Sequence, residues 1–235
     1  MLSDDLRKEV REKFRDSWTV RDGRTVPTEE SVSLGNDGVR IDATVLYADM
    51  ADSTKLVDAY DATFAAEIYG TFLRCASRII KANEGVITAF DGDRVMAVYM
   101  GDRKEAKACW TALKINHAMI EIIRPELERQ YPETPYVPAH TVGIDTSEIL
   151  VIKDGVRGDN DLIWVGRAAN YAAKLCALDH AYATRITSPV FYALDRSRDP
   201  GLLVTISNTY VWDQDYWAEM NGAEIFKSSC YAAAL

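Results

Sequence analysis

The sequence predicts an α+β fold built on a ferredoxin-like, split βαβ sheet with added C-terminal strands. Three observations carry that reading. The run IDATVLYADM at 41–50 has the length and apolar content of a buried strand, and a helical pattern starts within a few residues of its end. The stretch VITAFDGDRVMAVYM at 86–100 is two apolar runs joined at Asp91, Gly92 and Asp93, a strong hairpin signal because Asp and Gly tolerate the positive φ of a primed turn. A second long helical pattern and a further apolar strand complete the order β-α-β-β-α-β.

Taken along the chain, residues 3–17 read as a helix with Ser3 as its cap, followed by the turn-rich RDGRTVPTEESVSLGNDG. A boundary near residue 38 divides a helical arm and linker, 1–37, from the main domain, 38–235. After the first buried strand, residues 53–85 read as helix interrupted around Gly70. Residues 102–123 read as a helix capped by Asp102, with Ala106, Cys109, Leu113 and Ile120 at helical spacing. AHTVGIDTSEILVI and DLIWVG read as strands joined by a hairpin loop at Arg157–Asp159, RAANYAAKLCAL as a helix and ATRITS as a further strand.

Composition bounds what this fold can do. With 235 residues, 48% of them hydrophobic, the chain can bury a sizeable core. A formal net charge of −9 argues against binding nucleic acid or an anionic membrane, so a polyanionic substrate needs locally placed cations or metals. The N-terminus, MLSDDLRKEVREKFRD, lacks the apolar segment of a leader, and no run approaches membrane-spanning length. The expectation is a soluble, cytoplasmic protein. Cys75, Cys109, Cys176 and Cys230 are scattered without zinc or redox spacing, and His117, His140 and His180 lack metalloprotease spacing.

An Asp alone in a turn is usually a solvated turn former, so a metal role for Asp93 needs a second carboxylate. Asp49 can supply it. It ends the first strand, which in a split βαβ fold lies beside the hairpin, so the two acids can meet at one sheet edge. Carboxylates that close repel each other unless a hard divalent cation lies between them. The helix start after Asp49, capped by Ser53 or Thr54, offers free N–H groups to phosphate oxygens. Metals beside a phosphate cradle are the parts of phosphoryl transfer, while two unrelated edge acids remain the alternative. Asn170 and Lys174, four apart, share one helical face, ordinarily a solvated one. Trp164 and Tyr171 read as packing residues.

LYADMADST, FDGDRVMAVY, HTVGIDTSEI and VGRAANYAAKL stand in the order and at the spacing of the class III nucleotidyl cyclases, and residues 40–228 resemble that family. The resemblance implies that the 3′-hydroxyl of a nucleoside triphosphate attacks its own α-phosphorus and pyrophosphate leaves. It implies two divalent ions, Mn2+ or Mg2+, at Asp49, Met50 and Asp93, with the backbone of Met50, Ala51, Asp52, Ser53 and Thr54 holding phosphates. Asn170 matches the residue that orients the ribose, and Lys174 stands where the family commonly has a transition-state arginine. Lysine there is a point charge without the guanidinium fork. Lys227, in GAEIFK, matches a lysine presented to the triphosphate, or is an exposed lysine at a charged edge. The family's shared sites imply a homodimer.

The positions that read the base in purine-specific relatives fall on Ala89 and Ile163, neither of which hydrogen-bonds a purine edge through its side chain. An offset of one residue substitutes Thr88 for Ala89. Apolar residues there, a short chain and Lys174 in place of arginine resemble the pyrimidine cyclases of bacterial anti-phage Pycsar systems. That implies cyclic UMP or cyclic CMP, with UTP favoured over CTP, sensed by a separate effector protein. Alternatives are an adenylate or relaxed-specificity cyclase, and a non-catalytic nucleotide- or RNA-binding module on the same sheet. The two intact aspartates, the acidic balance and the absence of a basic aromatic strand motif count against the last.

Overall fold

The computed structural model describes residues 1–156, 159–205 and 207–232. Its centre is the expected split βαβ unit. Strand β2 (Asp37–Met50) leads through α2 (Ser53–Ala59) and α3 (Ala62–Ala82) to the hairpin β3 (Val86–Asp91) and β4 (Arg94–Tyr99). Helix α4 (Lys104–Ala118) and its continuation α5 (Arg124–Gln130) then return the chain to β5 (His140–Val156). The hydrogen-bonded order β3-β4-β2-β5 puts the first strand between the hairpin and the last strand, as the βαββαβ order requires. Three added strands extend the sheet beyond β5: β7 (Thr184–Thr187), β9 (Ala223–Ser228) and β8 (Asp213–Trp217). Strand β6 (Asp159–Val165) pairs with the far end of β5, and Arg157 and Gly158 of the expected loop lie outside the described residues.

Alternation along β2 sorts the core into two faces. Leu46, Ala48 and Met50 join Phe72, Ile80 and Leu113 beneath α3 and α4, while Ile41, Ala43 and Val45 meet Ala168, Ala169 and Ala172 on the opposite face. There α6 (Arg167–Cys176) lies against β5, and Gly143 permits the close approach. A Cβ at that position would stand against the Ala172 carbonyl oxygen and 2.6 Å from the Cys176 nitrogen.

Several local expectations differ from the structure. Helix α3 runs unbroken through Gly70, and the interruption falls instead at Tyr60 and Asp61, where the Asp61 side chain accepts from the Thr63 and Phe64 N–H groups and caps α3. Asp102 does not cap α4; Arg103, at φ +59, holds that place, and Asp102 pairs with Arg198 at 2.6 Å. The predicted helix 102–123 continues through a π turn, Met119–Ile123, into α5. Met1, not Ser3, stands at the start of α1 (Leu2–Arg15). Within the linker, β1 (Thr19–Asp22) runs parallel to β2, and Val32 is buried in the second core face. All four cysteines are free thiols.

Candidate active site

Continuing the register Ala48↔Val95 by one and two places sets Asp49 beside Arg94 and Met50 beside Asp93. The turn that delivers Asp93 carries positive φ at Gly92 alone (+61°), the pattern of a type II′ turn. The two acids bear on each other. Burial first, then the charge of Asp93, pushes the Asp49 carboxyl up to about 6, against the pull of Arg94. Asp93 Oδ2 is buried and has no hydrogen-bond partner among the described residues. Arg94 is the local counter-cation: its guanidinium bonds Asp91 at 2.7 Å and lies 5.4 Å from the Tyr47 ring centroid.

These donors suit a divalent cation. Two half-buried carboxylates, one disfavoured as an anion and one with an orphaned oxygen, are relieved by a hard ion with oxygen ligands. No group of three His, Cys, Asp or Glu surrounds a common point among the described residues. Mg2+ is commonly held by one or two carboxylates, with water and substrate phosphates completing the shell. The Met50 thioether is in the core, so only its backbone can contribute.

A cleft of about 260 Å³ opens beside Asp49, lined by Met50, Ala51, Asp52, Thr141 and the chain from Cys176 to His180. Thr141 Oγ1 donates to the Cys176 carbonyl at 2.5 Å and pins the end of α6 to β5 there. Burial pushes the Cys176 thiol up to about 12, which keeps it neutral and inert. The Ala51 N–H is engaged by the Ala139 carbonyl, so of the 50–54 backbone that donor is not free for phosphate. Asp52 stands at φ +57 with Lys55 Nζ 2.8 Å and His180 Nδ1 3.7 Å from its carboxylate.

The remaining expected residues lie apart from this cleft. Asn170 and Lys174 are both exposed on α6, whose start is fixed by Arg167 Nε to Asp145 Oδ2 at 3.1 Å and by the Ala168 N–H to Ser147 Oγ at 3.0 Å. The Asn170 side chain makes no hydrogen bond among the described residues, and Lys174 Nζ rests 3.8 Å from Met220 Sδ. Lys227 Nζ is held by Asp215 at 2.8 Å, above the Tyr182 ring. Ala89 on β3 and Ile163 on β6 have β4, β2 and β5 between them. A register shift after Ile87 leaves Thr88 as an extra, bulged residue whose hydroxyl is buried without a partner among the described residues. Trp164 packs against the second core face and Tyr171 against Trp217, their ring centroids 5.7 Å apart.

Sequence reasoning passed over Arg94, Thr141 and His180. Arg94 was legible, because it follows Asp93 and the hairpin register sets it opposite Asp49. His180 carried no local signal, since only the packing of α6 brings its loop to the cleft.

No family model matches the chain. A protein of Xanthomonas perforans named uridylate cyclase is 44% identical over 230 residues, covering 97% of this chain and 96% of that one. Another of that name, from Burkholderia cepacia, is 44% identical over 221 residues, 93% of each chain. A third, from a Rhodovulum species, is 36% identical over 92% of this chain and 90% of its own. Among solved structures, a bacterial light-regulated adenylyl cyclase superposes with a TM-score of 0.68 at 18% identity, over 84% of this chain and 54% of that chain. An adenylyl cyclase from P. aeruginosa gives 0.64 at 18% identity, over 84% and 98%. These superpositions establish the shared fold.

Proposed function

The chain belongs to the uridylate cyclase family, and from that premise we propose that it converts UTP to 3′,5′-cyclic UMP and pyrophosphate. Nucleotidyl cyclisation is the activity of its family and the fold is that of the class III cyclases. The observation that carries the reading is the pair Asp49 and Asp93, brought to one sheet edge with no cation among the described residues fully neutralising them. Bound there with the substrate, divalent ions supply charge neutralisation at the α-phosphorus and at the departing phosphates. The 3′-hydroxyl oxygen forms the new bond to the α-phosphorus and its proton is released. The bond from that phosphorus to the bridging oxygen breaks, and its electron pair leaves with pyrophosphate.

Asn170 and Lys174 complete the site from a second copy of the chain, Asn170 orienting the ribose and Lys174 placing a positive charge on the transition state. Both stand exposed on α6, open to a second copy of the chain, which supports a shared site in a homodimer. The apolar Ala89 and Ile163 favour a base read without purine-edge hydrogen bonds. Cyclic UMP then acts as a second messenger of anti-phage defence, sensed by a separate effector protein. Among the described residues no helix is long and apolar enough to cross a membrane. A relaxed site that also accepts purines is the second reading, favoured by the buried, unpartnered hydroxyl of Thr88.

Incubation with all four ribonucleoside triphosphates and Mn2+, with products identified by mass spectrometry, tests both. Cyclic UMP should dominate. Cyclic AMP or cyclic GMP as the main product overturns the pyrimidine assignment, and no cyclic nucleotide at all overturns the enzyme assignment.

A further inference from the structure

We propose that Lys55, His180 and Tyr136 form the receptor for the two terminal phosphates of the substrate, and therefore for the pyrophosphate that leaves. This rests on the cyclase reading and deepens it. A second cleft of about 280 Å³ adjoins the one at Asp49, the two sharing Ala51, Asp52 and His180 as a common wall. A triphosphate with its α-phosphorus at the aspartates has this adjoining space for its tail.

An acidic protein must supply positive charge and N–H donors for that tail locally, and among the described residues the walls of these two clefts carry the Lys55 ammonium and the His180 imidazole. Lys55 is held by Asp52 in an exposed pair that contributes little to stability and so exchanges readily for a phosphate, and the His180 ring nitrogen Nδ1 stands 3.7 Å from the same carboxylate. Lys227 lines neither cleft of its own chain.

Tyr136 provides the directional donor. Its ring lines the second cleft and is packed by Tyr60 and Phe64, with centroids at 5.5 Å and 6.0 Å. Its hydroxyl is buried and makes no hydrogen bond among the described residues, a state that buried hydroxyls rarely keep. Burial and the neighbouring Tyr69, Tyr60, Asp52 and Asp93 push that hydroxyl up to about 12, so it stays a neutral O–H able to donate to a phosphate oxygen.

The test uses magnesium pyrophosphate as the probe, measured both as a product inhibitor of the full-length enzyme and by calorimetry. Tyr136→Phe, Lys55→Gln and His180→Asn should each weaken pyrophosphate about tenfold, the loss of one charge-assisted contact, while leaving the affinity for the cyclic nucleotide product unchanged. Asp52→Asn tolerates the same left-handed backbone yet frees the Lys55 ammonium and removes an anion from the wall of both clefts, and should tighten pyrophosphate by about threefold or more. Tyr136→Phe changes no charge, so its weakening separates a direct donor from the general effect of charge that Asp52→Asn also carries. Pyrophosphate binding all three weakening variants as tightly as the parent chain, or no tightening in Asp52→Asn, overturns the receptor. A parent chain that makes no cyclic nucleotide overturns the cyclase reading instead, so the two failures are distinguishable.

Discussion

Asp93→Asn retains a residue suited to the turn but replaces an anionic oxygen ligand with a neutral amide, so structure and chemistry separate at this position. Turnover should fall roughly a hundredfold or more with the fold unchanged by circular dichroism. Unchanged turnover would return FDGD to being a turn alone. A second single-residue effect concerns acid stability. His140 is buried 5.8 Å from the Phe72 ring, and burial, then the charge of Arg124, pushes its imidazole down to about 3. The unfolded imidazole protonates near 6.5, so below that pH the unfolded chain binds a proton the folded chain refuses. Stability contributed at neutral pH is therefore lost as pH falls from 6.5 towards 3, by about 2 kcal/mol at pH 5. Denaturant melts of His140→Gln against the parent at pH 7 and pH 5 should show a smaller acid loss in the variant; equal losses would refute this. Asp49 and Asp93 were legible as candidates because they stand at the ends of apolar runs. Their mutual repulsion was legible with them, whereas the larger push on Asp49, its burial, was not, because burial depends on packing from distant segments.

At the scale of elements, the two glycines Gly70 and Gly143 have opposite expectations. Gly70 lies inside α3 with open space where a Cβ would stand, so Gly70→Ala should stabilise the protein by up to about 1 kcal/mol through helix propensity. Gly143 lies under α6 with the helix backbone in that space, so Gly143→Ala should cost about 2 kcal/mol or more and push α6 off β5. Thermal melts of both variants check the pair, and a stabilising Gly143→Ala would contradict the packing described. The same contrast explains why an interruption was expected at Gly70. Propensity alone penalises a mid-helix glycine, but the buried stripe Phe64, Ile68, Phe72, Ala76 and Ile79 carries α3 through it. The true break falls at Asp61, whose side chain caps α3.

For the whole molecule, the separation of Asn170 and Lys174 from the Asp49 cleft makes assembly the decisive property. Asp49→Ala and Asn170→Ala chains, each inactive alone, should recover about a quarter of parent activity on equal mixing, since half the dimers are mixed and each has one intact site. No recovery from confirmed heterodimers would exclude a shared site. The core order of strands, the hairpin and the two metal-candidate aspartates were determined by the sequence itself, because alternation, turn chemistry and helical period are local signals repeated over many residues. Only the tertiary structure decided that the linker joins the sheet through β1 and Val32, that Lys227 is held by Asp215, and that Lys55, His180 and Tyr136 meet around one pair of clefts. Those depend on long-range packing between segments up to 125 positions apart, from Lys55 to His180, and no periodicity within a single element encodes such a meeting.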